Sequence, residues 1–300
     1  MDLDALYDCL TTTSCVVTQT TSGLIVGMLL FLVAAGLTLI FGVLKIVNFA
    51  HGTFYMLGAY LAYTVFKITD SYTLGVIAGG LGMALFGIIV ERGLISRVYG
   101  ANVLMQLLIC YAIVLICDDV VKIVWGADFY AMGMPPAFQV PPLFIAGGVV
   151  PPFYLMLIGV ALAIGGGLAA LLGLTRIGKV IRAAAHNPDM VSALGINTTL
   201  LYSLVFAVGG MLAGLAGGLA APVRSLTPGM GFSILIESFI VTVIGGMGSI
   251  GGALIAAVVL GLIRSFGTIG FPMFTEGLMY ICMIIILVSK PSGLFGKEIV

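Results

Sequence analysis

Residues 232–262 read FSILIESFIVTVIGGMGSIGGALIAAVVLGL and carry one ionisable side chain, Glu237. A helix that crosses a membrane needs about 20 predominantly apolar residues, so this stretch is too long for one straight crossing. GGMGSIGG interrupts the apolar run at 245–252, and glycine weakens a helix interior. The pattern predicts two short helices or a re-entrant element within a membrane-spanning fold.

Similar apolar runs fill the rest of the chain. Of its 300 residues 61% are hydrophobic and 8% are charged, against about 25% charged in an ordinary soluble domain. The net charge is zero and no basic patch is present, so the composition excludes a nucleic-acid-binding protein. We expect one domain over 1–300, an all-α membrane protein whose polytopic helical bundle has eight or nine crossings. The expected crossings are 20–43, 53–68, 72–90, 103–124, 152–174, 199–222, 232–262 (counted once or twice) and 271–289.

Charges in the short loops predict the orientation, because loops rich in lysine and arginine stay cytoplasmic. With alternating crossings, most cations fall on one side and most acidic residues on the other. The cations are Lys45, Arg92, Arg97, Arg176, Lys179 and Arg182, and the acidic residues are Asp2, Asp4, Asp8, Asp70 and Asp128. We expect the N-terminus outside and the loop at about 175–198 in the cytoplasm. Lys290 and Lys297 predict a cytoplasmic C-terminus, which favours an odd number of crossings.

Two segments on the expected outer side have distinctive residues. The N-terminus is acidic, so no cleavable signal peptide is predicted. Cys9 and Cys15 could pair if the N-terminus faces an oxidising compartment, and the sequence leaves this pairing open. The loop at about 125–152 holds six of the eleven prolines, which predicts an ordered, non-helical, extended connection. It either separates two crossings or offers aromatic side chains and rigid backbone to a soluble partner.

The hydrophilic loop carries the signals of a short, capped helix. Asn187 suits the N-cap, Pro188 the first helical position, and Asp189 the positive end of the helix dipole. Gly195 supplies the left-handed residue that ends many helices. The predicted helix, 188–194, has about two turns and cannot span a bilayer.

This short helix needs something to pack against. Met190, Val191 and Leu194 fall at helical spacing and predict an apolar face. A helix of two turns is unstable alone in water, because nucleation outweighs its few hydrogen bonds. It therefore either folds back on the crossings of its own chain or docks on another protein.

Polar residues near the apolar runs are candidates for function, because an ionisable group costs about 2.5–3.5 kcal/mol at the centre of a membrane helix. Asn48 and His51, in VNFAHG, either cap broken helices or belong to a discontinuous element that faces a transport path. Glu237 either caps the start of a helix, which we favour, or lines an outer vestibule.

The remaining polar and small residues are interpreted as structural. Asp118 and Asp119 are spaced to pair with Lys122, and Arg224 and Arg264 are expected to extend to the membrane interfaces. The small residues of GGMLAGLAGGLAAP, at 209–222, are expected to allow close contact between helices.

The sequence contains no motif for catalysis or nucleotide binding. GxSxG, HExxH and the phosphate loop GxxxxGK[ST] are absent, and no Cys or His spacing suggests a metal site. We therefore expect no enzyme, no catalytic residue, no metal ligand and no cofactor in this chain. The energy for any transport must come from a partner.

Three blocks of the sequence resemble the permease subunits of ATP-binding-cassette (ABC) importers, most closely the branched-chain amino acid (Liv) type. They are GLTLIFGVLKIVNFAHGTFYMLGAYLAY (36–63), VIGGMGSIGGALIAAVVLGL (243–262) and KPSGLFG (290–296). The loop RAAAHNPDMVSALGIN (182–197) resembles the coupling helix of that family, which sits in a cleft of the ATPase. The resemblance covers nearly the whole chain.

The resemblance implies a bacterial inner-membrane permease that imports leucine, isoleucine and valine delivered by a periplasmic or extracellular binding protein. It implies a second permease, identical or homologous, contact with membrane lipid, and two ATPase subunits that bind ATP and Mg. The residues expected to couple the chain to the ATPase are Arg182, His186, Asn187, Pro188, Asp189, Met190, Val191, Leu194 and Gly195, with Arg176 and Lys179 in support. The candidates for the translocation path are Asn48, His51 and Glu237.

Other functions are open at this point. Relatives in the same family carry urea, short amides or aromatic acids. A self-contained channel or secondary transporter would need a charged site near the middle of the membrane, whereas the candidates here lie toward the ends of the apolar runs. A membrane-embedded enzyme would need an acid–base set, which the sequence lacks.

Overall fold

Twelve α-helices make up most of residues 3–296, the part of the chain that the computed structural model describes. They are α1 Leu3–Thr11, α2 Thr13–Leu44, α3 His51–Thr69, α4 Tyr72–Gly93, α5 Val103–Trp125, α6 Pro152–Leu174, α7 Arg176–His186, α8 Pro188–Ala193, α9 Thr198–Ala220, α10 Met230–Gly245, α11 Ile250–Gly270 and α12 Thr275–Ser289. Short 3₁₀ helices occupy Ile95–Val98, Pro136–Phe138 and Pro272–Phe274. Asp2 and Lys297 of the charge pattern lie outside the described residues.

Six helical segments are long and apolar enough to cross a membrane. They are Thr13–Leu44, Tyr72–Gly93, Pro152–Leu174, Thr198–Ala220, Ile250–Gly270 and Pro272–Ser289. The apolar helix α10 is shorter, with 16 residues, and α3 and α5 form the other expected crossings. Every predicted apolar run is largely helical, as a multi-pass all-α membrane protein requires. The count of eight or nine crossings stays a prediction.

The glycine-rich interruption separates α10 from α11. α10 ends at Gly245, and Gly246 and Gly248 follow with φ angles of 97° and 91°, which residues with a side chain rarely adopt. Ser249 then caps α11, because its hydroxyl accepts a hydrogen bond at 3.1 Å from the backbone N–H of Gly252. The long apolar stretch is therefore two helices joined by a tight turn.

The connection between α5 and α6 is only partly extended. It contains an antiparallel hairpin formed by β1 Leu143–Ile145 and β2 Gly148–Val150. The 3₁₀ helix at Pro136–Phe138 contradicts the expected absence of helix, since proline's fixed φ also suits a helical first turn. Backbone hydrogen bonds between Tyr130 and Leu226 tie the connection to the bundle.

Helices meet at their backbones where α9 packs on α3 and α4. A Cβ atom added to Gly214 would lie 2.4 Å from the carbonyl oxygen of Gly79. One added to Gly58 would lie 2.4 Å from the Cα atom of Gly214. No larger residue fits at these distances, which confirms the close packing predicted for 209–222.

The central helix α2 is packed in the same way. It contacts α6, α9, α10 and α11, and most of its apolar residues are buried. A Cβ atom added to Gly27 would lie 2.5 Å from the carbonyl oxygen of Ala257 in α11. One added to Gly36 would lie 2.7 Å from that of Gly209 in α9. The core of the bundle is therefore built around α2.

Cys9 and Cys15 form a disulfide that links α1 to the start of α2, with their Cα atoms 5.2 Å apart. The thiols of Cys110 and Cys117 are buried, and that of Cys282 is half-buried. The pairing left open by the sequence is thus present, and it fits an N-terminus in an oxidising compartment.

We expect this disulfide to protect the N-terminal cysteines in intact cells. In a variant with Cys110, Cys117 and Cys282 replaced by alanine, a membrane-impermeant maleimide should label the chain only after an impermeant phosphine reductant, because a disulfide sulfur does not react as a thiolate. Cys9→Ser, which frees Cys15, should be labelled without reduction. Labelling of the parent without reductant would contradict the disulfide. Labelling only after cell lysis would contradict the outer N-terminus.

Candidate functional site

The short helix of the hydrophilic loop has the caps that the sequence predicts. The side chain of Asn187 accepts a hydrogen bond at 3.0 Å from the backbone N–H of Met190, and Pro188 occupies the first helical position. α8 ends at Ala193, one residue before the predicted end, with Leu194 as C-cap, and Gly195 follows with a φ of 82°. The local structure is confirmed, and the coupling role stays a prediction.

The apolar side chains of α8 and its C-cap differ in exposure. Val191 is buried against its own chain, whereas Met190 is 63% exposed and Leu194 is 75% exposed. The helical spacing of the three agrees with the predicted apolar face, of which the bundle covers only Val191. Met190 and Leu194 lie one turn apart on the same side of the helix. One residue anchors α8 to the bundle, and two others form an apolar surface that the rest of residues 3–296 leaves uncovered.

A helix that the sequence analysis missed, α7, leads into α8. The side chain of Thr175 caps it, accepting a hydrogen bond at 3.0 Å from the backbone N–H of Gly178. The exposed basic residues of α7 are Arg176, Lys179, Arg182 and His186. Their spacing of three or four residues places them on one face. None of the four forms an ion pair within residues 3–296.

Asn48 and His51 are both fully buried where the chain passes from α2 to α3. The Asn48 side-chain oxygen accepts a hydrogen bond at 3.0 Å from the backbone N–H of Ala50. The His51 Nε2 atom lies 3.1 Å from the carbonyl oxygen of Val33 in α2. Within the described chain, His51 Nδ1 and Asn48 Nδ2 have no hydrogen-bond partner. The pair forms a polar junction that shapes the helix break and leaves two polar atoms unsatisfied.

Glu237 does not cap a helix start, which corrects the interpretation favoured from the sequence. It is the eighth residue of α10 and is 8% exposed. Its Oε2 atom lies 2.5 Å from Nη1 of Arg264 and 3.8 Å from Nη2 of Arg224. The two arginines thus converge on one carboxylate, and their extension to the membrane interfaces stays a prediction. Packing of α10 against α11 brings these charges together.

The adjacent acidic residues of α5, Asp118 and Asp119, lie in different surroundings. Asp119 forms the predicted ion pair with Lys122 at 2.9 Å, and both side chains are exposed. Asp118 does not join this pair, and its Oδ1 atom is buried without a hydrogen-bond partner in the described structure. Among the described residues, only Asp119 of the two lies within ion-pair distance of Lys122.

The sequence analysis did not identify the buried carboxylate near the end of α4. Glu91 is fully buried, and its carboxylate accepts hydrogen bonds from the hydroxyls of Tyr99 and, at 2.6 Å, Ser203. Arg92 Nε in turn donates to Ser203 Oγ at 3.1 Å. Burial raises the pKa of Tyr99, and the hydrogen bond to Glu91 raises it further. The cluster joins α4, the segment that follows it, and the first turns of α9.

Comparison with known proteins gives a match along most of the chain. The family described as "Branched-chain amino acid transport system / permease component" matches residues 19–287. The high-affinity branched-chain amino acid transport system permease protein BraD of Pseudomonas aeruginosa is 28% identical over 292 residues, covering 93% of this chain and 95% of BraD. The corresponding LivH of Escherichia coli K12 is 27% identical over 304 residues, with the same coverage.

Two further comparisons show how far the similarity to known proteins extends. The galactose/methyl galactoside import permease protein MglC of Escherichia coli K12 is 32% identical, but over 108 residues, or 36% of this chain. No solved structure matches the chain. The named relatives are transport permeases and not enzymes.

Proposed function

This chain belongs to the family of branched-chain amino acid transport permease components, and from that premise we propose that it is the membrane-spanning subunit of an ATP-driven ABC importer for branched-chain amino acids. The observation that carries the proposal is the family match over residues 19–287, supported by relatives that cover 93% of the chain. An external binding protein delivers the substrate, and the helical bundle carries it across.

The proposed contact with the ATPase is α8. Met190 and Leu194 offer an exposed apolar surface that suits an apolar cleft, and the Asn187 cap keeps the helix formed. Asp189 stabilises the positive end of the helix dipole. Arg182 and the other basic residues of α7 bind the ATPase surface or anionic lipid. The buried Val191 passes the movement of α8 to the bundle.

The proposed complex contains two ATPase subunits, a second permease that is identical or homologous, and the binding protein. The ATPases bind ATP and Mg, since this sequence has no phosphate loop. We place the complex in the bacterial inner membrane, with the proline-rich loop at 125–152 outside and the loop at 175–198 in the cytoplasm. The Cys9–Cys15 disulfide supports this orientation of the N-terminus.

Asn48, His51 and Glu237 are the proposed residues of the translocation path. Two of them bury polar atoms without partners, and the third lies in a charged cluster between helices. Buried polar groups of this kind are costly in a membrane and are typical of transport paths. Urea, short amides and aromatic acids are the alternative substrates within the same family.

The proposal predicts that the tagged chain, purified from native membranes in mild detergent, carries an ATPase with a phosphate-loop motif and a second permease. We expect mass spectrometry to identify both, and the reconstituted complex to take up leucine when ATP and the liganded binding protein are supplied. An unrelated tagged multi-pass protein from the same membranes controls for adventitious capture. Uphill leucine uptake by vesicles that hold this chain alone would support the rival self-contained transporter.

A further inference from the structure

The helix α7 begins where a crossing at the edge of the bundle ends. The buried residues of α6 form one narrow stripe along it, Phe153, Leu157, Ala161, Gly165 and Leu168. The rest of its surface is exposed or half-buried within the described chain. A helix of 23 residues is about 35 Å long, close to the hydrocarbon thickness of about 30 Å, so its last turn reaches the membrane interface. The open side of α6 therefore faces lipid as far as Leu174, which is 83% exposed.

α7 lies against the end of α6, at the same depth in the membrane. Thr175 is the only residue between the two helices. A Cβ atom added to Gly178 would lie 2.3 Å from the carbonyl oxygen of Leu172 and 2.4 Å from that of Leu171. The chain therefore turns sharply at Thr175, and α7 starts beside the last turn of α6 and not farther out in the cytoplasm.

The apolar face of α7 extends beyond the bundle. Gly178, Ile181 and Ala184 are buried, where α7 contacts α2 and α6. Ile177 lies one turn before Ile181 on the same face, yet it is 59% exposed. The face that covers the bundle at Ile181 is thus open at Ile177, on the side of α7 that is turned toward the membrane.

Two cations lie beside these apolar side chains. Arg176 and Lys179 are exposed, and neither forms an ion pair within residues 3–296. A helix with basic residues on its polar face and apolar residues on the other is typical of a segment that lies in the membrane interface. Basic residues just beyond the cytoplasmic end of a crossing favour anionic headgroups. An acidic protein surface would suit the cations alone, whereas lipid also suits Leu174 and Ile177, which continue the lipid-facing surface of α6.

We propose that residues 174–179 are a docking site for anionic phospholipid, in which Arg176 and Lys179 bind headgroup phosphates while Leu174 and Ile177 enter the acyl layer. The lipid holds α7 at the membrane surface and so sets the depth of α8, which begins one residue after α7 ends. The inference rests on the membrane placement of the proposed function, but on neither its substrate nor its ATPase.

The test places a fluorescent thiol label at residue 177 of the full chain. Ile177→Cys is made in the variant whose Cys110, Cys117 and Cys282 are replaced by alanine, and it is labelled without reductant. The chain is reconstituted in phosphatidylcholine vesicles with a small share of phosphatidylglycerol or phosphatidylcholine that carries an acyl-chain nitroxide, which quenches the label on contact. We expect both lipids to quench, and phosphatidylglycerol to do so at the lower share. A label on Ser192→Cys, an exposed residue of α8, should be quenched by neither.

Charge removal tests the headgroup contact. Arg176→Gln/Lys179→Gln should lower the preference for phosphatidylglycerol over phosphatidylcholine about 10- to 30-fold at low ionic strength. Added salt should lower it in the parent. Quenching by the phosphatidylcholine probe should persist in the variant, which shows that the segment is folded and in place. Lys67→Gln/Arg97→Gln, which removes two exposed cations elsewhere, is the matched control and should keep the parent's preference.

Three results would overturn the inference. They are an unquenched label at residue 177, equal quenching by the two lipids that Arg176→Gln/Lys179→Gln does not change, and loss of quenching in the complex purified from native membranes. The last result would show that the ATPase or the second permease covers the segment. A complex that takes up no leucine would refute the proposed function and would leave these lipid measurements unaffected.

Discussion

Leu194→Asp is expected to abolish ATP-driven uptake by the assembled importer while the membrane helices of this chain remain folded. The side chain is 75% exposed and lies beside Met190, so the substitution disturbs little within the chain. In an apolar cleft, however, the new carboxylate would be buried without a partner. Loss of a central apolar contact alone weakens an interface by about 2 kcal/mol or more. We expect both the ATPase contact and the uptake to be lost.

The measurement is co-purification of the ATPase, followed by uptake and stimulated ATP hydrolysis in vesicles. Ser192→Asp is the matched control, because Ser192 is an exposed residue of α8 that lies on the side opposite Leu194. It adds the same charge to the same helix and should leave the ATPase bound. Asp189→Lys, which puts a cation at the positive end of the helix, should weaken coupling as well. Normal coupling in both Leu194→Asp and Asp189→Lys would show that the ATPase docks elsewhere.

Glu91→Ala is expected to be the most destabilising single change among those considered. It removes the acceptor for Tyr99 and Ser203, and an unsatisfied buried donor costs about 1–3 kcal/mol. Arg92, which donates to Ser203, loses its link to the carboxylate too. The variant should unfold at a lower temperature in detergent and yield less protein from membranes. Glu91→Gln keeps one carbonyl oxygen as acceptor and should fall between the variant and the parent.

The exposed Glu276→Ala, at the first turn of α12, is the control for removal of an acidic side chain from a helix. It should lower the unfolding temperature much less than Glu91→Ala, because an exposed carboxylate in a first turn contributes only about 0.3–1 kcal/mol. Equal unfolding temperatures for Glu91→Ala and the parent would show that water or the backbone satisfies Tyr99 and Ser203 without Glu91.

The features predicted correctly from the sequence are those that depend on local signals. The cap at Asn187 and the left-handed Gly195 act within one turn of α8, and the glycines after Gly245 end α10 by their own backbone preference. The apolar runs define the long helices because length and composition are sufficient for that. α7 was missed because its basic residues were interpreted as markers of orientation, although their helical spacing was visible.

The errors arise where distant parts of the chain meet. Ser203 is 112 residues from Glu91, and no pattern near either residue indicates their hydrogen bond. Glu237 was interpreted as a cap because Arg264, its partner on the next helix, could not be placed from spacing alone. Such contacts depend on how helices cross, which composition does not specify.

The backbone contacts at Gly27, Gly36, Gly58 and Gly214 have a mechanical consequence. Helices that touch through flexible side chains can slide as those side chains change rotamer, but helices whose main chains meet have nothing to compress. These contacts therefore join five helices into one rigid unit, which consists of α2, α3, α4, α9 and α11. The loop that holds α8 joins this rigid unit at Thr198, the first residue of α9.

Relative movement between helices is then expected where a helix touches this rigid unit through side chains. α6 meets it where Phe31 covers Gly165, and α12 meets α11 where Leu278 covers Gly267. In the proposed importer, we expect movement of α8 to tilt the rigid unit as a whole, and the side-chain contacts of α6 and α12 to accommodate the change. For the same reason we expect opening on one face of the membrane and closing on the other to occur as one concerted motion.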